Sequence, residues 1–327
     1  MKMSIGIDVS KDKLDVSIYD GINYKYYQFD NSRKGIEQLL NETNQFNYEA
    51  VFTMEATGVY SLLASNMLYE RKYSVSVVNP LIIKRYSEYK MCRAKTDKID
   101  SRIIADYGFN NPPSCFIPKP IEMQYLKQYL KLVYDFKQEI TRYTNRLKAL
   151  KINPKVNNSL LQLYNEHVLY LKNKIKQAEN EIDKIISENF KKENELLRSI
   201  PGVGKRISAI IISNFHTFED FENSKQLSSM LGINPSPYKS GSSVNRRAVI
   251  SRKGNSYIRK ILYMGALVAS KNNKECREFY NRLLLKGKDK KLALIAVENK
   301  LLRQIFTVLK NKREYIENYY FNNQKIA

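Results

Sequence analysis

The chain has 327 residues, enough for two or three domains. Lys and Arg total 55 against 33 Asp and Glu, a formal charge of +22, and an excess of that size points to a polyanionic partner, nucleic acid before any other. Hydrophobic residues at 43% exclude wholesale disorder, the scattered Cys92, Cys115 and Cys276 form neither a zinc spacing nor a disulfide framework, and two histidines, His167 and His216, leave little room for His-based chemistry.

In chain order, Met3, Ile5, Ile7 and Val9 alternate with Ser4, Gly6 and Asp8, the period of a strand with one buried face. The first eight residues carry a carboxylate where a secretory signal needs apolar residues, and the longest apolar runs, such as 292–297, are too short to cross a bilayer. The expected location is therefore the cytosol, with no membrane partner. A turn at 10–13 leads to a second alternating strand through Leu14, Val16 and Ile18, and residues 24–29 complete an antiparallel meander. Asn31-Ser32 is a cap for a helix through Leu39-Leu40. Residues 49–54 and 74–78 read as strands with a helix over 61–71 between them, and helices follow over 81–90 and 96–107. A meander followed by alternating helices and strands predicts a ribonuclease-H-like α/β domain over 1–110. Pro112, Pro113, Pro118 and Pro120 then mark a boundary.

The pattern changes over 121–190. Leu161, Tyr164, Val168, Leu171, Ile175, Ala178, Ile182 and Ile185 recur at steps of three and four, a heptad seam. Tyr125, Tyr129, Leu132, Phe136, Ile140, Tyr143, Leu147 and Leu150 keep nearly the same rhythm ahead of Asn153-Pro154. This predicts two long helices. Periodicity does not say whose helix fills the seam, so a coiled-coil dimerisation segment stands beside an intramolecular hairpin. A mostly helical domain follows over 195–315. In it, residues 200–205 sit between helical stretches, a polar, basic, Gly-containing stretch covers 235–255, and helices run over 256–270, 275–285 and 292–310. Residues 318–327 are a polar tail.

Four carboxylates stand out. Asp8 lies mid-strand opposite the apolar face, Glu55 ends the fourth strand, and Asp97 and Asp100, three apart, share one face of a helix at its first turn. If the first and fourth strands are neighbours and that helix crosses them, the four converge. Like charges so close need a divalent cation, and oxygen-only ligands suit Mg²⁺ or Mn²⁺ acting on a phosphodiester. The plainer reading makes Asp97 and Asp100 simple helix-start residues and Glu55 an ordinary strand end. Ser240 lies in a second candidate region. From Lys239 to Lys260 there are seven basic residues, Lys239, Arg246, Arg247, Arg252, Lys253, Arg259 and Lys260, and no acidic ones. Such cations suit phosphate oxygens, and a Ser followed by Gly leaves room for a phosphate to approach. The plainer reading is a flexible basic loop that grips backbone. Gly202 and Gly204 sit in a turn resembling that of a helix-hairpin-helix motif, whose N–H groups bind phosphate.

Together these stretches resemble the insertion-sequence-110 family of transposases, recombinases guided by a bridge RNA. Ile5-Gly6-Ile7-Asp8-Val9-Ser10-Lys11, Met54-Glu55-Ala56-Thr57-Gly58 and Ala94-Lys95-Thr96-Asp97-Lys98-Ile99-Asp100 resemble its RuvC-like N-terminal domain. Ile200-Pro201-Gly202-Val203-Gly204 resembles the entry to its last domain. Leu231-Gly232-Ile233-Asn234-Pro235, Ser240-Gly241 and Ser251-Arg252-Lys253-Gly254-Asn255 resemble its C-terminal serine transposase core. The resemblance implies that Asp8, Glu55, Asp97 and Asp100 are the family's four acidic residues and bind Mg²⁺. It also implies that Ser240 attacks a DNA phosphate to give a transient phosphoserine link, with Ser242 and Ser243 as close neighbours. It further implies that the helical middle pairs subunits and that both folded domains contact a noncoding guide RNA. The family's homo-oligomer is a tetramer in which the acids of one subunit meet the serine of another on donor and target DNA. A serine hydroxyl needs a base or a metal, and the basic stretch offers neither, so the two sites are expected to depend on each other. The alternatives are a metal-dependent nuclease of the Holliday-junction-resolvase kind, in which Ser240 is dispensable, and a nucleic-acid-binding scaffold without catalysis.

Overall fold

The computed structural model describes residues 3–43, 50–92, 94, 96–111, 115–152, 155–215, 218, 221–240, 244–250 and 254–317, with the backbone alone over 235–240 and 244–250. Of the residues singled out above, Glu49, Lys95, Pro112, Pro113, Asn153, Pro154, His216, Gly241, Ser242, Ser243, Ser251, Arg252, Lys253 and the tail over 318–327 lie outside the described residues. The chain divides into two compact units, Met1–Lys119 and Pro120–Ala327.

In the first unit, strands β1 (Met3–Val9), β2 (Lys13–Tyr19) and β3 (Tyr24–Asp30) form the meander, followed by α1 (Arg33–Thr43), β4 (Ala50–Glu55), α2 (Tyr60–Glu70), β5 (Ser74–Val78), α3 (Pro80–Tyr89) and α4 (Asp97–Asn110). The sheet order is β3-β2-β1-β4-β5, antiparallel across the meander and parallel from β1 through β4 to β5. This is the mixed sheet that the element order predicts for a ribonuclease-H-like domain. Its local punctuation is legible. Ser32 Oγ accepts from Gly35 N at 3.1 Å, Asn79 accepts from Leu81 N with Pro80 in the first turn, and Thr96 caps α4.

The two faces of the sheet are chemically different. Ile5, Ile7, Leu14, Val16, Phe52 and Met54 point to one face and pack with Ile36 and Leu39 of α1 and Ala64 and Leu68 of α2. Each such side chain contributes roughly 1.5–3 kcal/mol of burial. The other face presents Ser4, Gly6, Ser17 and Thr53, and α4 lies across it against β1, β2 and β4.

The second unit contains α5 (Ile121–Leu150), α6 (Asn158–Asn189), α7 (Lys191–Arg198), α8 (Lys205–Phe215), α9 (Ser224–Met230), β6 (Pro235–Ser240), β7 (Val244–Ile250), α10 (Ser256–Asn272), α11 (Lys274–Leu285) and α12 (Lys290–Asn311). Helices α5 and α6 form an antiparallel hairpin. Lys137 pairs with Glu179 at 2.7 Å, while Tyr143, further along α5, meets His167, earlier on α6, at 4.5 Å between ring centres. Val168, Leu171, Ile175, Ala178 and Ile182 are thus buried within the chain itself, and the heptad rhythm of α6 says nothing about a partner.

Two sequence expectations need correction here. The buried stripe in the first half of α5 is Met123, Leu126, Leu130 and Val133, whereas Tyr125 and Leu132 of the expected seam are exposed at 47% and 39%. The buried positions keep the heptad steps of three and four but run one residue later than the expected Tyr125, Tyr129 and Leu132, and helix α5 packs on α8 as well as α6. The stretch expected to be a flexible basic loop carries the β6–β7 hairpin, paired from Pro235↔Ile250 to Ser240↔Val244 with a register shift between Ser236 and Tyr238. Tyr238, Val244, Val249 and Ile250 supply the β propensity. Among the described residues no helix is long and apolar enough to cross a membrane.

Candidate catalytic site

Strand register brings three carboxylates to one level on three adjacent strands. Asp8 of β1 is the direct partner of Asp15 on β2. On the other side Ile7 pairs with Met54, so Glu55, the next residue of β4, stands level with Asp8. Paired residues share a face. Asp15, Asp8 and Glu55 therefore form a row on the face that α4 covers.

Small residues set the position of α4. An added Cβ at Gly6 would lie 2.2 Å from Ala105 N and 2.3 Å from Ser101 O, and one at Gly108 would lie 2.2 Å from Thr53 Oγ1 and 2.6 Å from Ser4 Oγ. Ser17 Oγ and Ser101 Oγ share a buried hydrogen bond of 2.8 Å. Gly108 thus sits over Ser4 and Ala105 over Gly6, so the helix runs antiparallel to β1 and its first turn, with Asp97 and Asp100, comes towards Asp8. The electrostatics agree. The Asp8 carboxyl is pushed up to about 6, first by burial and then by the negative charges of Asp100, Glu55, Asp97 and Asp15.

Asp15 is the residue that sequence reading missed. It is 3% exposed, and its Oδ1 accepts from Tyr26 Oη and, at 3.0 Å, from Gln28 Nε2. That hydrogen bond, with burial behind it, pushes the Tyr26 hydroxyl up to about 12. The signal lay in the register. A four-residue turn pairing Val9 with Leu14 also pairs Asp8 with Asp15.

The donor set consists of carboxylate oxygens alone, and charges that raise one another's proton affinity match a hard divalent cation. Among the described residues, however, no group of three or more His, Cys, Asp or Glu side chains closes on a metal position. The acids share a neighbourhood without standing at ligand spacing.

The other expected residues lie in the second unit. Ser240 is the last paired residue of β6, at the tip of the hairpin; Lys239 pairs with Asn245 and Arg246 with Tyr238, while Arg247 follows on β7. The base of the hairpin is fixed at both ends. Asn299 of α12 donates to Asn234 at 2.7 Å, Gly254 at φ +88° packs against the carbonyls of Met230 and Leu231, and Arg259 donates to Leu231 O at 3.0 Å. Arg259 thus has a structural duty that its charge alone did not reveal, while Lys260 is exposed on α10. Glu298 is buried near this base and pushed up to about 8 by desolvation, with the Arg259 charge opposing. Gly202, at φ +108°, allows the turn between α7 and α8 to rest on Ala269, whereas a Cβ at Gly204 would meet nothing within 4 Å.

The sheet order and the acid row describe a mixed α/β domain of the ribonuclease-H-like, DEDD-bearing kind. A transposase family model of this DEDD IS110 type matches residues 5–150, and the model described as Transposase IS116/IS110/IS902 family matches 194–281. The chain is 27% identical over 320 residues to the pilin gene-inverting protein of Moraxella bovis, covering 96% of this chain and 98% of that one. It is 22% identical over 344 residues to the transposase for insertion sequence element IS1111A of Coxiella burnetii, covering 95% and 90%. The chain belongs to the IS116/IS110/IS902 family of transposases, and it is a DNA transposase or recombinase.

Proposed function

We propose that the chain exchanges DNA strands through Ser240, with Asp8, Glu55, Asp97 and Asp100 holding Mg²⁺ or Mn²⁺ and a noncoding bridge RNA supplying sequence choice. The observation that carries this reading is the acid row under the first turn of α4, where burial and then the negative charges of the neighbouring acids raise the Asp8 carboxyl to about 6. When bound, the cation supplies a neutralising charge and Lewis-acid polarisation of a phosphate oxygen. Ser240 Oγ forms the bond to phosphorus as a deoxyribose oxygen leaves, which keeps the phosphodiester bond energy in a phosphoserine link. Attack on that link by a strand end rejoins the DNA and frees the serine. Lys239, Arg246, Arg247, Arg252 and Lys253 hold phosphates around it. Arg259 keeps the base of the hairpin in place, and the turn at Gly202 and Gly204 contacts backbone without reading bases.

Donor and target DNA are both substrates in this reading, which suits a chain similar both to an insertion-sequence transposase and to a gene-inverting protein. Both reactions need two duplexes cut and rejoined. A homo-oligomer, a dimer that becomes a tetramer on DNA, lets the acids of one protomer serve the serine of another. The test is recombination in vitro with the flanking noncoding RNA, together with trapping of the protein–DNA adduct. Asp8→Asn and Ser240→Ala should each abolish recombination, and Ser240→Ala should also abolish the adduct. Cutting that persists in Ser240→Ala without any adduct would replace this reading with the water-driven nuclease. Recombination that omits RNA without loss would remove the guide.

A further inference from the structure

The second unit holds a half-open cavity of about 820 Å³ between α11, α12 and residues 313–316, within the size range of small-ligand sites. Its chemistry is cationic and planar. The Arg282 guanidinium lies 5.3 Å from the centre of the Phe279 ring and Lys300 Nζ lies 5.9 Å from it, so the ring orders both cations. Lys300 is also paired with Glu275 at 3.1 Å. Arg303 and Arg313 add two further guanidinium groups to the lining, against one further acid, Glu314. The floor is a hydrogen-bonded polar network in which the buried Gln304 meets Asn273 at 3.1 Å and Tyr315 at 3.3 Å.

We infer that this cavity binds one nucleotide of a single nucleic-acid strand, its phosphate held by Arg282 and Arg303 and its base stacked on the guanidinium–aromatic layer over Phe279. Arginine forks match phosphate oxygens, and stacking on aromatic and guanidinium planes accepts any base. A duplex carries its phosphates on a broad convex surface with its bases stacked inside, so it cannot place both groups in a concave pocket. The cavity is lined by no residue of the acid row or of the serine hairpin.

The experiment is fluorescence anisotropy with the full-length protein, Mg²⁺ omitted, and a labelled 20-mer as single-stranded RNA, single-stranded DNA and DNA duplex, over a salt series. Arg282→Ala with Arg303→Ala should weaken single-strand binding about tenfold and lower the salt slope by about 0.7 for each phosphate that is no longer neutralised. Duplex binding should change less than twofold. Lys172→Ala with Lys176→Ala on the exposed face of α6 controls for the removal of charge and should leave the single-strand preference intact. Selective weakening in the RNA arm, the DNA arm or both supports the pocket and identifies its strand. Equal weakening of single strand and duplex, or an effect no larger than the control pair's, overturns it. A second measurement uses the wild-type protein. A 4-thiouridine or 4-thiothymidine oligonucleotide should cross-link to peptides containing Phe279 or Tyr315, and cross-links found only elsewhere also overturn the proposal.

Discussion

Gly6→Ala tests how the acid row is built. The new methyl would stand 2.2 Å and 2.3 Å from backbone atoms of Ala105 and Ser101, which cannot rotate aside. Ordinary contact begins near 3.4 Å, so α4 must retreat by about 1 Å. Gly6 lies within a regular strand, so the substitution acts through space alone. Overpacking of this kind costs about 1–3 kcal/mol, and stretching the buried Ser17–Ser101 hydrogen bond of 2.8 Å adds about 1 kcal/mol. Urea unfolding of the full-length protein should show the first unit destabilised by about 2–4 kcal/mol. Gly204→Ala, which meets nothing within 4 Å, should stay within about 0.5 kcal/mol. Because α4 carries Asp97 and Asp100, recombination should fall by roughly 100-fold even well below the denaturation midpoint, the size expected for a 1 Å misplacement. A Gly6→Ala protein of wild-type stability and wild-type rate would refute the seating of α4 on β1.

Three further outcomes follow from the same structure. Ser4 Oγ and Thr53 Oγ1 are buried with no hydrogen-bond partner among the described residues, so Ser4→Ala and Thr53→Val should each raise stability by about 1 kcal/mol in urea melts; destabilisation would mean that the hydroxyls are satisfied. Glu298 is raised from 4.5 to about 8, so the native state keeps a proton that the unfolded chain releases. Stability should therefore fall as pH rises from 4.5 to about 8 and level off above it, and Glu298→Gln should flatten that limb and gain on the order of a few kcal/mol at pH 8; an unchanged pH profile in the variant would contradict it. Asp8, raised from 3.8 to about 6, has the same sign over its own window. Asp8→Asn should stabilise the metal-free protein at pH 7.5 by roughly 1–3 kcal/mol while ending recombination, whereas a destabilised variant would show that the carboxylate is compensated.

What the sequence concealed was pairing, and what it displayed was period. The alternation in β1 and β2 and the caps at Asn79 and Thr96 depend on residues close in the chain, and the first unit was legible from them. Glu55 and Asp97 could be singled out because each closes or opens an element. Asp15 looked like one more outward residue, since its meaning comes from the strand beside it. Arg259 read as one of seven phosphate-binding cations because nothing near it in the sequence shows that it reaches the carbonyl of Leu231. The β6–β7 hairpin was masked differently: its basic and serine residues dominate the composition, while its β-branched residues, Val244, Val249 and Ile250, are few and all lie in β7. In α5 the period was legible but not its register: the aromatic and aliphatic residues offer two adjacent heptad stripes, and packing against both α6 and α8 buries the one that starts at Met123 and Leu126. The same distinction explains why Gly6 could not be interpreted from sequence. A glycine in a strand is ordinarily a weakness, and only the helix pressed against it makes it the residue that sets the distance between Asp8 and the first turn of α4.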